Sequence, residues 1–465
     1  MNNCGLYTDF YEITMSQAFF LSGKGNSQVS FDYFYRTNPF GGGYLIFAGL
    51  SDAIELVKRF NFSEEDIAFL AEKGIDSRFL DYLRDFKFQG DIYSMKEGEI
   101  AFPRVPIMRI EGNIIECQLI ETLLLNILNY ESLIATKTFR ITQAARGRNI
   151  IDFGIRRAHG TGAVQASKAA IIGGAVATSN VYAAKRYNLE VSGTMAHSWV
   201  QSFQDEYEAF KVFSDIHPDN CILLVDTYNT LRSGLPNAIK LANELKAQGR
   251  KIKGIRLDSG DLSYLSRKAR KMLDDAGHQD IIITASNQLN EHVIKSLLEQ
   301  DARIDAFGVG TEMITGKPDS SLDGVYKLAE CDGISRMKVS ENIEKVTLPG
   351  AKKVVRYYDH DGMFYRDAIV KRSEKVEDIK EIFHPSVDYK KTTVEALQSE
   401  ELQKHVMSKG EILIDLPSAK ESHEYLMERS KQLPSEHYRF ISPHIYKVGL
   451  SLKLKQERDN FLNNL

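Results

Sequence analysis

The stretch that decides the fold is residues 252–277, IKGIRLDSGDLSYLSRKARKMLDDAG. It begins with a short apolar run, turns through a polar loop, and continues with apolar residues at helical spacing. Ser259 or Asp261 can cap the start of the helix, and Gly277 suits the position just past its end. The stretch therefore predicts a strand, a polar loop and a helix that runs from Asp261 to Ala276.

Other stretches repeat this unit of an apolar run followed by polar residues. The further runs are 222–225, 281–283 and 304–309. Short apolar strands alternating with helices build a parallel sheet, and in a barrel the loops after the strands share one face. We therefore predict an α/β fold, an irregular (β/α)8-type barrel over residues 125–345. A Rossmann fold is the alternative, and it is weakened because no G-x-G-x-x-G follows a strand.

The two ends of the chain lack this alternation. The predicted elements there are strands at 29–35, 44–50, 354–358 and 363–370, a core helix at 114–135 and a charged helix at 394–406. A loop with three consecutive glycines, 41–43, joins the first two strands. We predict that residues 1–124 and 346–465 together form a second, discontinuous α/β domain.

Composition excludes several classes of protein. Lys and Arg number 59 against 63 Asp and Glu, a net charge of −4, which argues against a nucleic-acid partner. The longest apolar stretch, 114–135, contains Glu and Asn residues that a membrane span would not carry, so no membrane contact is expected. The four cysteines form no CxxC pair and no secretory signal is visible, which together predict a cytoplasmic protein with reduced thiols.

Five polar clusters follow predicted strands. They are 152–157, 193–197, 226–228, 256–261 and 308–311. Arginines, glycine-rich turns and carboxylates on one face suit a polyphosphate substrate, because guanidinium and backbone N–H groups hold phosphates while carboxylates hold Mg²⁺. The clusters therefore indicate a phosphate-binding site at the carboxyl ends of the strands.

Each cluster also has a simpler interpretation when it is taken alone. Asp258 and Asp261 could be helix caps, Arg156 a solvated charge, His197 a structural histidine and Tyr11 a core aromatic. Of the two carboxylates, Asp258 is the better candidate for a metal ligand. The position of His197 in a loop before a helix leaves its imidazole free to act as a nucleophile.

In their order along the chain, these clusters resemble the nicotinate phosphoribosyltransferases, a group of type II phosphoribosyltransferases. The matching strings are TDFY at 8–11, NPF at 38–40, DFG at 152–154, GTMAHS at 193–198, DTY at 226–228, RLDSGD at 256–261, GVGT at 308–311 and VYKL at 325–328. The resemblance covers roughly the first three quarters of the chain. The stretch beyond Lys390 matches nothing in it.

The resemblance implies a reaction and an assembly. Nicotinate and phosphoribosyl pyrophosphate would give nicotinate mononucleotide and pyrophosphate, coupled to ATP hydrolysis through a phosphohistidine, in NAD salvage. It also implies a homodimer with shared active sites, an irregular barrel and a domain made from both chain ends.

The resemblance also assigns roles to residues. It implies that Arg256 and Thr194 contact nicotinate, Phe153 and a Tyr11 from the second subunit sandwich its ring, Arg156 contacts the anions, and Gly308, Gly310 and Thr311 bind the phosphoribosyl phosphate. His197 matches the histidine that ATP phosphorylates. With Arg256 and Asp258 it makes up the expected catalytic group, and Asp258 and Asp261 are the candidate Mg²⁺ ligands.

Three other functions stay open. The amide-using relative, nicotinamide phosphoribosyltransferase, places an acid directly after the Gly-Thr pair, where this chain has Met195. A buried carboxylate there would repel nicotinate, so Met195 favours the acid substrate. A catalytically silent sensor barrel would lack site residues that are present here, and an oxidoreductase would need a flavin or metal set that we do not find.

Overall fold

The computed structural model describes residues 4–341, 346–387 and 389–463, which form two compact units. Unit 1 comprises residues 1–136 and 321–465, and unit 2 comprises residues 137–320. The domain limits expected from the sequence fall at residues 124 and 345, and the second of these lies outside the described residues. No helix in the described part of the chain is both long and apolar enough to cross a membrane.

The elements are numbered along the chain. Residues 4–145 contain α1 (Phe10–Leu21), β1 (Gln28–Tyr35), β2 (Leu45–Ile46), α2 (Leu50–Lys58), α3 (Glu64–Glu72), α4 (Ser77–Arg84), β3 (Asp91–Ser94), β4 (Ile100–Ala101), β5 (Met108–Asn113), α5 (Ile114–Leu119) and α6 (Glu121–Ala145). Unit 2 continues with β6 (Asn149–Asp152), α7 (Gly162–Ile172), β7 (Ala177–Thr178), α8 (Val181–Tyr187), α9 (His197–Gln201), α10 (Glu206–Ile216), β8 (Ile222–Leu224), α11 (Leu235–Ala247), β9 (Gly254–Leu257), α12 (Leu262–Asp275), β10 (Ile282–Ser286), α13 (Glu291–Glu299), β11 (Ala306–Val309) and α14 (Thr311–Ile314). Unit 1 resumes with β12 (Gly324–Cys331), β13 (Ile334–Ser335), β14 (Lys352–Tyr358), β15 (Phe364–Lys371), β16 (Glu381–Phe383), β17 (Lys391–Thr393), β18 (Ser399–Glu401), β19 (Lys404–Ser408), β20 (Glu411–Ile412), α15 (Ala419–Gln432), β21 (Val448–Leu450) and α16 (Leu452–Asn463).

Unit 2 is built on a parallel sheet with the order β7-β6-β11-β10-β9-β8. The four strands predicted from apolar runs are present as β8, β9, β10 and β11. The mixed α/β class is thereby confirmed. Closure of a barrel is not, because β7 and β8 end the hydrogen-bonded order and do not pair with each other in the described residues.

Helix α12 forms as the decisive stretch predicts. The side chain of Asp261 caps it by accepting a 3.0 Å hydrogen bond from the backbone N–H of Tyr264. Gly277 follows the helix with a φ of +77°, a conformation that glycine adopts without strain. The helix buries Ala269 and Leu273 in an apolar core shared with residues of β8, β9 and β10.

Unit 1 contains two large sheets. One has the order β13-β12-β1-β5-β3-β19-β20 and is antiparallel; the other has the order β17-β16-β21-β15-β14-β18. The predicted strands 29–35, 354–358 and 363–370 are confirmed as β1, β14 and β15. The predicted strand 44–50 shrinks to β2, which pairs with β4 rather than with β1, and α2 begins at Leu50.

The predicted helix at 394–406 is wrong. This stretch contains β18 and the start of β19, which pair with β14 and β3 respectively. Its Glu and Lys residues favour a helix, but long-range strand pairing overrides local propensity here. The partners of β19 are residues 92–94, about three hundred residues earlier in the chain.

The predicted core helix at 114–135 is two consecutive helices, α5 and α6. Asn113 caps α5 by accepting a 2.9 Å hydrogen bond from the N–H of Ile115. Helix α6 continues past the predicted end to Ala145, and the boundary between the two units falls within it.

A buried ionic network lies in unit 1. Arg356 is fully buried and contacts Asp367 at 2.8 Å and Glu99 at 2.6 Å, and Arg429 contacts Glu99 at 2.9 Å. Burial raises the pKa of Glu99, but Arg356 and Arg429 outweigh it and hold that pKa below its ordinary value. The network therefore keeps several charges compensated away from water.

Candidate active site

The predicted site residues of unit 2 lie at the carboxyl ends of its parallel strands. Phe153 and Arg156 follow β6. Arg256 lies in β9 and Asp258 directly follows that strand, and Gly308 lies in β11. Because these strands are parallel neighbours, their carboxyl ends share one edge of the sheet. The clusters 152–157, 226–228, 256–261 and 308–311 are therefore brought to the same edge, as their positions after predicted strands indicate, whereas 193–197 lies between α8 and α9.

Arg256 and Thr194 are in direct contact. One terminal nitrogen of Arg256, Nη1, donates a 2.5 Å hydrogen bond to the hydroxyl of Thr194. The Nε–H of Arg256 is buried and has no hydrogen-bond partner in the described structure. A buried donor without a partner costs free energy unless a ligand accepts its hydrogen bond.

Burial and neighbouring charges act in opposite directions on the pKa of Arg256. Burial lowers its pKa, the carboxylates of Asp258 and Asp226 raise it, and the nearby Arg156 lowers it. An arginine stays protonated at neutral pH under such shifts. The site therefore contains a permanent positive charge on Arg256, and only some of the N–H groups of this guanidinium donate hydrogen bonds within the protein.

Phe153 and Gly308 fit together at the junction of β6 and β11. The N–H of Phe153 donates a 2.8 Å hydrogen bond to the carbonyl of Val309, which fixes the ring beside β11. A Cβ added at Gly308 would lie 2.4 Å from two carbons of the Phe153 ring. Glycine at position 308 is therefore required by the position of the ring.

Asp152 organises the loop that carries Phe153. Its carboxylate accepts hydrogen bonds from the hydroxyls of Ser167 and Thr178, at 2.8 and 2.7 Å, and from the N–H of Gly154 at 2.8 Å. Burial raises the pKa of Asp152, and these hydrogen bonds oppose that rise. Asp152 therefore has a structural role, and the chemistry is left to its neighbours.

His197 is the first residue of α9 and is partly exposed. Its Nδ1 lies 3.1 Å from the hydroxyl of Thr227, and its Nε2 lies 3.9 Å from Oδ2 of Asp258. The second distance is too long for a hydrogen bond. When the Thr227 hydroxyl accepts from Nδ1–H, the lone pair of Nε2 is free to act as a nucleophile.

Two carboxylates lie close to this histidine. Oδ2 of Asp226 accepts hydrogen bonds from the N–H of Asp258 at 2.8 Å and the hydroxyl of Ser259 at 2.7 Å. Oδ1 of Asp258 accepts one from the hydroxyl of Ser286. Oδ1 of Asp226 is buried and has no hydrogen-bond partner in the described residues.

These oxygens are compatible with Mg²⁺. The described residues hold no group of three or more His, Cys, Asp or Glu side chains that could enclose a metal ion. Mg²⁺ keeps several waters and commonly takes only one or two carboxylates together with substrate phosphates. The unpartnered oxygen of Asp226 and Oδ2 of Asp258 match that requirement.

The remaining predicted residues of unit 2 are either exposed or lie at the start of a helix. Arg156 is exposed on the loop after Gly154, and Thr311 opens the short helix α14 directly after Gly310. Asp261 is the cap of α12, with Oδ1 engaged. This geometry favours the helix-cap interpretation of Asp261 and leaves only its second oxygen for another ligand.

Tyr11, the remaining predicted site residue, belongs to unit 1. It lies on α1 with 49% of its surface exposed. The next residue, Glu12, is fully buried and accepts a 2.6 Å hydrogen bond from the amide of Gln118. The helix therefore presents the tyrosine ring outwards while a carboxylate is buried behind it.

Comparison with known proteins decides the family. The profile described as the nicotinate phosphoribosyltransferase (NAPRTase) family matches residues 148–403, and the profiles of its N-terminal and C-terminal domains match 6–129 and 351–458. The nicotinate phosphoribosyltransferase of Bacillus subtilis is 44% identical over 459 residues, which cover 97% of this chain and 93% of that protein. The chain belongs to the nicotinate phosphoribosyltransferase family.

Two further relatives agree with this assignment. The nicotinate phosphoribosyltransferase of Dictyostelium discoideum is 35% identical, over 97% of this chain and 86% of that protein. The crystal structure of human nicotinic acid phosphoribosyltransferase superposes with a TM-score of 0.88 at 29% identity, covering 98% of this chain and 99% of that one. The family predicted from the sequence motifs is confirmed, and it is a family of enzymes.

The structure shows how three further side chains support the site of this nicotinate phosphoribosyltransferase family member, two of them from the predicted cluster 226–228. Thr227 orients His197, Ser286 holds Asp258, and Asp226 holds the loop that follows β9. The sequence signal for Ser286 was its place at the end of a predicted strand, the same signal that picked out the other clusters. The contact between Thr227 and His197 joins two distant loops and has no local signal.

Proposed function

We propose that this chain transfers the phosphoribosyl group of phosphoribosyl pyrophosphate to nicotinate, giving nicotinate mononucleotide and pyrophosphate. The observation that carries the proposal is the Arg256–Thr194 pair, with the buried and unpartnered Nε–H of Arg256 beside it. A nicotinate carboxylate would satisfy that donor through a charge-assisted hydrogen bond. The family of the chain supplies the reaction class.

The chain's own residues then orient the acceptor ring. Arg256 and Thr194 bind the carboxylate at one end of nicotinate, which fixes the direction of the pyridine nitrogen at the other end. Phe153 stacks on the ring, and Gly308 leaves the space for Phe153 to do so. Holding the nitrogen in line with the anomeric carbon is the main catalytic requirement, because the transition state is oxocarbenium-like and needs little proton transfer.

The phosphate groups are assigned to the neighbouring strand ends. Gly310 and Thr311, after β11, bind the 5′-phosphate, and Arg156 contacts the anions from the loop after β6. Barrel folds commonly hold phosphate in a loop after a late strand, which is the position of residues 308–311. The diphosphate carries most of the negative charge that must be stabilised as it leaves.

Mg²⁺ is assigned to Asp258, with Asp226 as the second carboxylate and Asp261 as a helix cap. Bound there, the ion would supply positive charge to the diphosphate oxygens. The role of the protein is to aim the carboxylate oxygens. Ser286 and the N–H of Asp258 do this by binding the other oxygens of the two aspartates.

ATP is proposed as the phosphoryl donor to His197: Nε2 attacks the γ-phosphorus, ADP leaves, and water later releases phosphate from the histidine. A phosphoryl group on Nε2 would add negative charge close to Asp258 and alter the affinity of the diphosphate site. Thr227 keeps the imidazole in one orientation for that step. In this proposal a single side chain, His197, couples ATP hydrolysis to phosphoribosyl transfer.

The assembly is part of the same proposal. We infer that the sheet of unit 2 belongs to an irregular barrel, and that the enzyme is a homodimer in which Tyr11 of one subunit completes the site of the other. Support comes from the exposed position of Tyr11 and from a parallel bridge between Thr178 and Val191, which extends the sheet beyond β7.

The acid is favoured over the amide as substrate because of Met195. This side chain is 5% exposed and belongs to the apolar core of unit 2. The position directly after Thr194 therefore holds no carboxylate that could bind an amide nitrogen or repel nicotinate.

The proposal is tested by measuring pyrophosphate release with nicotinate or nicotinamide, each with and without ATP. We expect much higher catalytic efficiency with nicotinate, stimulation by ATP, and a His197→Ala variant that keeps slow basal transfer and loses the stimulation. Higher efficiency with nicotinamide would overturn the substrate, and stimulation retained by His197→Ala would overturn the phosphohistidine. Size-exclusion chromatography with light scattering tests the dimer, and a monomer that is fully active would overturn the shared site.

A further inference from the structure

Unit 1 contains a large cavity that the proposed reaction does not use. Its volume is about 1590 Å³, which exceeds the few hundred to about 1,000 Å³ that is typical of small-molecule sites. Loops and strands from distant parts of unit 1 line it, including Pro103, Arg104 and Pro106 and the segments 382–386 and 442–450. It is therefore a feature of the folded unit and has room for a nucleotide-sized molecule.

The lining is strongly cationic although the whole chain is slightly acidic. Among the described residues, nine Lys and Arg side chains line the cavity against two Asp side chains. The two aspartates are already paired, Asp32 with Lys352 at 2.6 Å and Asp459 with Arg458 at 2.6 Å. The charge of the remaining cations is therefore not balanced by the other described residues of the lining.

Most of the remaining cations have no carboxylate partner among the described residues. Lys391 pairs with Glu381, but no ion pair is formed by Arg104, Lys327, Arg366, Lys390, Arg439 or Lys447. These six side chains come from separate segments, so their convergence is a product of the fold. Unpaired like charges in one concave space repel each other, and a multiply charged anion would relieve that repulsion.

Two local observations point the same way. The Nε–H of Arg366 is buried without a hydrogen-bond partner in the described structure, so a donor is left for a ligand. Burial lowers the pKa of His384, and Lys390 and Arg366 lower it further. Lys390 and Arg366 are thus close enough to His384 to add to the effect of burial and disfavour a positive charge on its ring.

We propose that this cavity binds a small molecule that carries a diphosphate or triphosphate group. A single carboxylate would neutralise one of the six unpaired cations, whereas a triphosphate brings several negative charges on one chain. Apolar residues on the same lining, among them Phe34, Pro103 and Phe383, can contact the organic part of such a molecule. An extended polyanion such as a nucleic acid suits an open groove, and the overall charge of −4 does not attract one.

The test is direct binding by isothermal titration calorimetry at low salt, using inorganic triphosphate as the probe. The first variant is the double substitution Lys390→Gln and Lys447→Gln, since both side chains are exposed and their loss should not unfold the chain. Arg366→Gln is the second variant. Lys453→Gln, an exposed lysine on α16 outside the cavity, controls for a change in total charge.

We expect saturable binding that weakens by about tenfold or more in the double variant and in Arg366→Gln, and stays unchanged in Lys453→Gln. Equal affinity in wild type and double variant, or no saturable binding at low salt, would overturn the proposal. Substitution of Thr311 by Val in unit 2 should leave this binding component in place. Loss of the component in that variant alone would assign it to unit 2 and would also overturn the proposal.

ATP and phosphoribosyl pyrophosphate then serve as separate arms on the same variants. The physiological ligand is the compound whose affinity falls with that of triphosphate in the double variant. If the double variant binds both ATP and phosphoribosyl pyrophosphate as tightly as the wild type does, neither compound binds in this cavity, and the proposal is overturned for both compounds. Binding is measured without turnover, so a wild-type protein that lacks transferase activity but binds triphosphate here would contradict only the proposed function.

Discussion

The aromatic ring of Phe153 occupies the space next to Cα of Gly308 that a side chain would fill. A Cβ at position 308 would lie 2.4 Å from the ring carbons Cδ2 and Cε2. The two residues are held there by the pairing of β6 with β11. Gly308 thus has a packing role toward the ring of Phe153, the ring that we propose stacks on nicotinate.

Substitution of Gly308 by Ala should displace this ring. We expect a loss of about 1–3 kcal/mol in the free energy of unfolding, as in other overpacked sites, and a higher KM for nicotinate. Denaturant titration and initial rates measure the two effects. Gly193→Ala is the matched control for stability, because a Cβ there meets nothing within 4 Å. Wild-type stability and KM in Gly308→Ala would contradict the assigned role.

Arg356 should be among the residues on which the stability of unit 1 depends most. Arg356→Ala would leave Asp367 buried without its positive partner and Glu99 with Arg429 alone, at a cost of about 3–5 kcal/mol. Lys271→Ala removes an exposed ion pair with Asp275 and should change stability by no more than about 0.5 kcal/mol. Denaturant unfolding of both variants provides the comparison. Similar losses in the two would show that the buried network contributes little.

Local signals predicted unit 2 well. The decisive stretch contains its strand, its cap at Asp261, its helix and the glycine after it, and all four depend on neighbours a few residues apart. Four of the five polar clusters follow strands of this sheet, because a parallel sheet brings the ends of its strands to one edge, whereas the cluster 193–197 lies between α8 and α9. The contact of His197 with Thr227 could not be predicted, since thirty residues and several elements separate the two.

Unit 1 was harder to predict because its strands pair over long distances. Strand β1 takes its partners from β12 and β5, and β19 pairs with β3 across most of the chain. The sequence around residues 399–408 contains no local signal for those partner strands. The charged composition of residues 399–408 instead favours a helix. The cationic cavity has the same origin, since its cations are scattered in sequence and converge only in the fold.

Glu12 should make the stability of unit 1 depend on pH. Burial raises the pKa of this carboxyl from 4.5 to about 7 in the folded protein, so the folded state holds the proton more tightly than the unfolded state. Stability contributed by the protonated form is present at low pH and is lost as pH rises from the unfolded value through about 7. Above that range the folded protein carries the full cost of a buried charge.

Glu12→Gln should therefore raise the melting temperature at pH 8 and leave it nearly unchanged at pH 5. Differential scanning calorimetry of wild type and variant at both pH values measures this difference. Glu72→Gln, an exposed carboxylate on α3, should shift the melting temperature equally at the two pH values. An equal shift for Glu12→Gln would show that its pKa is not raised.

Thr227 should govern the response to ATP through the orientation of His197. Its hydroxyl lies 3.1 Å from Nδ1, and no other hydrogen bond from the described residues holds the imidazole. Thr227→Val keeps the shape of the side chain and removes the hydroxyl, so the ring loses its orientation and its preferred tautomer. We expect the stimulation by ATP to fall by about tenfold while the rate without ATP stays within about twofold of wild type.

Thr227→Ser is the matched control, because it retains the hydroxyl that contacts Nδ1 and should restore the stimulation. Steady-state rates with and without ATP, measured for the three proteins at saturating nicotinate, give the comparison. Acid-labile and base-stable phosphate on the protein after incubation with ATP reports on His197 directly, and it should decrease in parallel in Thr227→Val. Full stimulation in Thr227→Val, or equal impairment in Thr227→Ser, would show that this hydroxyl does not position the histidine.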